Sequence, residues 1–277
     1  MENIEYSFGA QPSKKDIRDY KLNAQALSAV KIPNSLLLKH VPIKNQGAFP
    51  TCVAHALCEL VEYHNREQEG TFTRFSTDFI YGLRFGGDYM GNGMYVRDAL
   101  KNVQNYGDVA YKQLPGNSNV ETAVPKVMGE LETLKPLAYP NRISTYYRIR
   151  NVNELKYALS HDGPVVVGMW WYDDATIEKV GKYHTYNSEH YRHGNDSNRS
   201  GHAVLVIGYD DVGFIIQNSW GASWGDKGLF RVKYGQFDLF FDVFGVTDNI
   251  SSIKKPGKLK SLFSPFINKI FRMCVKS

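Results

Sequence analysis

The sequence predicts an α+β fold in two lobes, a helical one over about residues 32–145 and a β-rich one over about 146–250. Three observations carry this. Apolar residues recur at helical spacing in the first half. After Gly163 the pattern changes to short β-branched and aromatic runs bounded by Gly, Asp and Asn. The chain, 277 residues with 43% hydrophobic content, can fill the core of one large domain or two small lobes.

Residues 1–31 are polar and mixed, contain "PSKKDIRDYKL", and read as an N-terminal extension packed on the surface or a short pro-segment that can be detached. In "NQGAFPTCVAHALCELVEY" the residues Val53, Ala56, Leu57, Leu60 and Val61 fall on helical spacing. That predicts a helix opening at or next to Cys52, with Thr51 as N-cap, and running to Gly70. "MYVRDALKNVQNYG" predicts a second helix from Met94, with Val96, Ala99, Leu100 and Val103 on one face and a stop at Gly107. "NVNELKYALSHDG" predicts a third, ended by Gly163. The runs "PVVVGMWWY", "GHAVLVIGY", "GFIIQNSW" and "GLFRVKYG" then suit an antiparallel sheet or barrel. Residues 173–200, long and polar, read as a surface excursion. The core domain is thus residues 32–250, followed by a tail at 251–277.

That tail holds seven cations and no acid, more than the whole +5 excess, so the rest of the chain is slightly acidic. Attraction to nucleic acid or to an anionic membrane is therefore confined to the tail. There Leu262, Phe263, Phe266, Ile267, Ile270, Phe271 and Cys274 fall at helical spacing behind Ser264–Pro265. A basic amphipathic helix of this kind suits self-association or a protein partner better than a membrane, because apolar faces are usually buried. The N-terminus lacks the basic start and apolar run of a signal peptide, and no run reaches the length of a membrane span. The cytoplasm, or a virion for a viral source, is the expected setting. Of three cysteines, Cys52 and Cys58 lie on one helix facing different ways and Cys274 is remote, so no disulfide framework follows.

A cysteine at a helix start meets free N–H groups and the positive end of the helix dipole, which favour a thiolate. Cys52 is therefore a candidate nucleophile. His202 follows Gly201 at the mouth of a strand, and the "DDVG" turn folds that strand back so that Asn218 arrives across the ladder. The amide oxygen of Asn218 would hold the imidazole in the tautomer that faces Cys52, within a resting thiolate–imidazolium pair. Gln46, six residues before Cys52, is placed to donate to a developing oxyanion together with the Cys52 N–H. Each has an ordinary role alone: a core cysteine, a turn glutamine, a packed histidine, a strand-end cap. His184, His190 and His193 share one loop without a recognisable ligand spacing, so no metal is assigned. No cofactor is expected, only reducing conditions that keep Cys52 a free thiol.

These parts, in this order, resemble the papain-like (C1) cysteine peptidases, the family of papain and the cathepsins. "NQG" precedes the cysteine, "GHAVLVIGY" follows, and "NSWGASWGDKGLFRV" reproduces the family pattern at Asn218, Ser219, Trp220, Gly221, Trp224, Gly225 and Gly228. The resemblance implies a two-lobe fold with the site in the cleft between a helical lobe and a β-barrel-like lobe. It implies Cys52 as nucleophile, His202 as base, Asn218 as its orienter and Gln46 as oxyanion donor. Trp220 would shield the His–Asn bond. Gly93 and Met94 would pair with substrate backbone. Gly201, Ala203 and the segment Gly168, Met169, Trp170 would form the pocket for the second residue before the scissile bond, with residues near Asp238 and Asp242 as unaligned candidates for its floor.

Departures are visible too. Phe49-Pro50-Thr51-Cys52-Val53 replaces the usual Cys-Gly-Ser-Cys-Trp, Met94 stands where a second Gly is usual, and His55 replaces an aromatic. With few cysteines and a "DIRDY"-like start, the chain is similar to disulfide-poor bacterial, archaeal or viral members. The implied activity is a cysteine endopeptidase acting on protein or peptide through an acyl-thioester. A non-catalytic papain-fold binding module, and an amidase or cell-wall peptide hydrolase using the same thiol chemistry, are the alternatives.

Overall fold

The computed structural model describes residues 7–16, 31–84, 93–116 and 119–247. In chain order the strands are β1 (Ala10–Gln11), β2 (Leu36–Leu37), β3 (Met94–Tyr95), β4 (Thr145–Arg148), β5 (Val165–Tyr172), β6 (Thr176–Val180), β7 (Tyr183–Asn187), β8 (Arg199–Tyr209), β9 (Gly213–Gln217), β10 (Leu229–Lys233) and β11 (Phe240–Thr247). The helices are α1 (Cys52–Glu69), α2 (Thr77–Gly82), α3 (Val96–Tyr106), α4 (Val120–Ala138), α5 (Val152–His161) and the one-turn α6 (Glu189–Arg192).

α1 is the central helix. It is buried continuously from Cys52 to Glu62 and stops at Gly70, whose left-handed φ of 71° lets its N–H return to the Arg66 carbonyl. One face packs on the sheet with Cys52, Leu57, Leu60, Ala203, Leu205 and Phe244 in one core. The opposite face of the sheet carries a second core, in which Leu155 and Leu159 of α5 meet Val167, Val206 and Phe230. Nine strands form that sheet, in the order β4-β11-β5-β8-β9-β10-β7-β6 with β2 added against β8. The α+β organisation, helices first and sheet after, is as the residues predict.

Two local readings are corrected, and one helix is added. The second predicted helix begins at Val96, because Met94 and Tyr95 are extended and pair in parallel with Ala10 and Gln11. α4 escapes the periodicity argument because Pro125 and Pro136 stand inside it. Its Ala123, Val127, Leu134 and Ala138 are buried, the last three in a third core with Phe79 and Val109. Residues 173–200 are built rather than irregular. β6 and β7 form a hairpin, and β7 joins β10 through Thr185 opposite the buried Arg231, which also holds Asp210 at 2.6 Å. Alternate burial of Tyr183 and Thr185 in an otherwise polar stretch is the strand signal that the composition hid.

Among the described residues no helix is long and apolar enough to cross a membrane. The amphipathic tail at 251–277 and most of the N-terminal 1–31 segment lie outside the described residues.

Candidate active site

Cys52 is the first residue of α1 and Thr51 is its N-cap, although the Thr51 side chain makes no capping hydrogen bond. Across from it runs β8. The β8–β9 hairpin pairs Leu205 with Gln217 and takes up a bulge between Val206 and Gly208. This register delivers His202 to Asn218, with Nε2 and Oδ1 2.8 Å apart. The Ser219 N–H donates to the same Oδ1 at 2.9 Å, so that atom is committed as an acceptor and His202 donates from Nε2. His202 Nδ1 is left unprotonated, buried and without a hydrogen-bond partner. Trp220 stacks on the imidazole at 4.6 Å, and Trp171 meets it edge-on at 5.9 Å.

Gln46 is strapped to the same strand end. Its N–H donates to the Ser219 carbonyl at 2.9 Å, and its Oε1 accepts from Ser219 Oγ at 2.7 Å. With Oε1 so fixed, Nε2 points forward and donates to the carbonyls of Phe49 (2.9 Å) and Ser7 (2.8 Å). Ser219 therefore joins the lobes at the site. Sequence reasoning gave it no role, though it stands inside the "NSWG" motif.

Residues 7–16 run beside Cys52, His202 and Gln46. The Phe8 ring lies edge-on to His202 at 5.7 Å and to Trp220 at 6.0 Å. The Gly9 carbonyl accepts from the Met94 N–H at 2.8 Å, and a side chain at Gly9 would run into the Pro50 carbonyl. Ala10 is buried, with its carbonyl lying directly over Gly201. Beyond it the Ser13 N–H donates to Asp242 Oδ2 at 2.9 Å, while Ser13 Oγ accepts from the Arg97 N–H at 3.1 Å. Residues 7–16 gave no such signal in sequence, because these contacts are long-range.

This strand changes the electrostatics. Burial pushes the Cys52 thiol up, against smaller opposing pulls from main-chain groups of Ala203 and Gly9. Burial also pushes His202 down to about 4, with the Asn218 bond acting the other way. In the closed cleft burial thus favours the neutral forms of both groups, against the helix dipole that favours the thiolate.

The remaining sequence candidates divide. Gly168 and Ala203 are register partners on β5 and β8, as are Trp170 and Gly201, and the four share the sheet face toward Ala10. Met94 and Gly93 sit on the other side of the strand, with the Gly9 carbonyl against Gly93. Met169 does not join them: it is opposite His202 in register and buried in the second core. Asp242 pairs with Arg148 at 2.8 Å, and Asp238 accepts from Tyr191 at 2.5 Å. His55 is packed, its Nδ1 2.9 Å from the Thr51 carbonyl and its pKa lowered to about 4 by burial. Cys58 is buried and free, as is Cys52. His184 bonds Asp226 at 2.8 Å and His193 faces Glu189, apart from the one group of potential metal ligands among the described residues, Asp173, Asp174 and His190. There Asp174 is already engaged by Ser188 and by the N–H groups of Glu189 and His190.

Under α1 lies an ionic group that the sequence did not announce. Lys44 Nζ is 2.7 Å from Glu62 Oε1, whose side chain is fully buried, and that oxygen also accepts from the Phe75 N–H at 2.9 Å. Glu59, fully buried beside it, is pushed up to about 8 by desolvation. The Lys44 carbonyl accepts from the Gly221 N–H at 2.9 Å, which ties this group to the "NSWG" turn.

Residues 37–251 match the family described as papain family cysteine protease. Cathepsin K of Mus musculus is 29% identical over 195 residues, covering 68% of this chain and 54% of that protein. Cathepsin C of Schistosoma mansoni is 33% identical over 112 residues, 38% of this chain and 24% of that protein. The chain thus spans about a quarter to about half the length of these curated relatives. Among solved structures, xylellain, a cysteine protease from Xylella fastidiosa, superposes with a TM-score of 0.70 at 25% identity, covering 87% of this chain and 96% of its own.

Proposed function

Because the chain belongs to the papain family of cysteine proteases, we propose that it is a cysteine endopeptidase that hydrolyses protein or peptide substrates. The Cys52 thiolate attacks the peptide carbonyl, and Gln46 Nε2 and the Cys52 N–H hold the oxyanion. Protonated His202 then delivers its proton to the leaving amine, and water resolves the acyl-thioester with His202 as base. Asn218 keeps the imidazole oriented, and Trp220 keeps water from their hydrogen bond. The observation that carries this reading is the pair of contacts made by fixed amides. Asn218 Oδ1 lies 2.8 Å from His202 Nε2, and Gln46 Nε2 already donates to a peptide carbonyl in the cleft. The chemistry needs no cofactor, only a reducing medium for Cys52.

The 32–250 unit carries this activity, and the 1–31 segment holds the chain latent until it is cut or displaced. Support for latency comes from residues 7–10, whose Ser7 carbonyl takes the Gln46 donor and whose Phe8 ring lies edge-on to His202, while Cys52 and His202 are wholly buried. The 251–277 tail remains a candidate for self-association or for a protein partner.

The test is active-site labelling of the full chain with a peptidyl epoxide, mapped by mass spectrometry before and after cutting between residues 17 and 30. Labelling at Cys52 alone, faster after the cut, is the expected result. Absence of labelling in both forms overturns the enzymatic reading.

A further inference from the structure

The strand in the cleft also marks the side chain that the cleft can take. Between Ser7 and Asp16 only Gly9 and Ala10 are fully buried, so Ala10 is the one side chain of the strand seated in a pocket. Met94 is its register partner on β3. The Ala10 carbonyl lies over Gly201 of β8, and Ala203 with its register partner Gly168 of β5 shares that face of the sheet. Two of these walls are glycines for a reason on the far side of the pocket. Phe241 of β11 lies across them, so that a Cβ at Gly168 would run into its ring and one at Gly201 would stand 3.4 Å from its Cζ.

Phe241 is not free to swing away. Its ring packs on Trp170 at 4.6 Å, and the Arg199 guanidinium covers Trp170 at 4.2 Å. Asp242, the next residue, is held by Arg148 at 2.8 Å. Half-buried Phe241 packs against the core to which Ala10, Met94 and Ala203 belong. The Ala10 methyl is thus buried in a core that contains Met94 and Ala203 and against which the braced aromatic ring packs. Packed walls that have no room to relax reject added methylenes.

Resting on the peptidase reading above, we propose that Phe241 and Met94 set the substrate class. The enzyme takes peptides with a small residue, alanine or glycine, at the position upstream of the scissile bond whose side chain enters the Ala10 pocket. One excess methylene in such a pocket changes kcat/KM by roughly ten- to two-hundred-fold, so leucine and phenylalanine fall well behind alanine.

The experiment uses the full chain, folded with a recognition sequence for a specific protease placed between residues 17 and 30, then cut. Peptidyl epoxides that differ only at one upstream position, carrying Gly, Ala, Val, Leu or Phe there, are compared by their second-order labelling rates at Cys52. Fluorogenic peptides of the same series give kcat and KM. One position should favour Ala over Leu and Phe by at least ten-fold, mainly in KM. Phe241→Ala, or Phe241→Leu should the first variant fold poorly, should narrow that gap, and Met94→Gly should do so independently. Efficient labelling with Leu or Phe at every upstream position in the wild type overturns the proposal while leaving the peptidase reading intact. Unchanged preference in folded Phe241 and Met94 variants overturns the assignment to these residues. Failure of every epoxide to label Cys52 removes the peptidase reading, and the proposal with it.

Discussion

The side-chain amide of Gln46 donates to the carbonyl oxygen of Ser7 at 2.8 Å. A donor positioned for the charge that develops on a substrate carbonyl is therefore engaged by the protein's own N-terminal strand. Beside it, main-chain groups of Gly9 lie against the Cys52 thiol. The two groups that a substrate would meet first are both covered by residues 7–9.

Loosening that strand should raise reactivity without touching the reacting groups. Phe8 supplies its largest contact with the site, edge-on to both His202 and Trp220. Phe8→Ala should increase the rate of epoxide labelling at Cys52 in the uncut chain by ten-fold or more, since truncating a fully buried aromatic costs about 3–5 kcal/mol and half-buried Phe8 need lose only a part of that from closure. The cut chain should label at the rate of the cut wild type. Equal rates for uncut wild type and Phe8→Ala would show that the strand does not limit access.

Acid should act in the same direction. His202 is held at about 4 in the closed cleft, below its ordinary value of 6.5. Between those values an opened cleft binds a proton that the closed one refuses, so falling pH favours opening. The His202 contribution fades above about 6.5 and saturates below about 4. The ratio of labelling rates, uncut to cut chain, should therefore rise as pH falls from 6.5 to 4. Taking the ratio cancels the pH dependence of the thiol chemistry itself. A flat ratio across this window would refute the linkage.

Much of the site was legible because its local geometry is written in short stretches. "DDVG" between two apolar runs fixes the hairpin that brings His202 to Asn218, and the turn before Cys52 fixes the helix start. Contacts that depend on distant partners were not legible. Ser7, Phe8 and Ala10 are unremarkable in a polar segment until Gln46, His202 and Gly201 surround them. Met94 continues a helical pattern in sequence, yet it is extended because Ala10 pairs with it. Met169 sits in an apolar run where the inward face cannot be chosen from composition, and strand alternation sends it to the core opposite Trp170. The lowering of the thiol pKa expected from the helix start is opposed by burial, which cannot be read at Cys52 itself.

Ser219 should matter to catalysis through Gln46 alone. Its Oγ bonds Gln46 Oε1 at 2.7 Å and turns Nε2 toward the cleft, while the His202–Asn218 contact relies on the Ser219 main chain. Ser219→Ala should lower kcat several-fold with little change in KM, as expected for a group that only orients a transition-state donor. Gln46→Ala, which removes the donor, should lower kcat by about 10²–10³-fold. In the Gln46→Ala background, Ser219→Ala should have no further effect on kcat. A full additional loss in that double variant would show that Ser219 acts elsewhere.

The ionic group under α1 makes a prediction about stability. Lys44 neutralises Glu62 at 2.7 Å, where the carboxylate side chain is fully buried and the ammonium side chain is 11% exposed. Removing one partner leaves a charge in the interior, which typically costs about 3–5 kcal/mol, whereas replacing both by apolar groups is often close to neutral. Lys44→Met should therefore lower the unfolding midpoint by roughly 6–15 °C for a domain of this size. The double variant Lys44→Met/Glu62→Leu should recover most of the loss, less whatever the Phe75 N–H forfeits when its acceptor disappears. Thermal unfolding of the cut and uncut forms, followed by circular dichroism, measures both. If Lys44→Met alone were as stable as wild type, Glu62 would have to be protonated in the native state, and the pair would hold a neutral hydrogen bond rather than an ion pair.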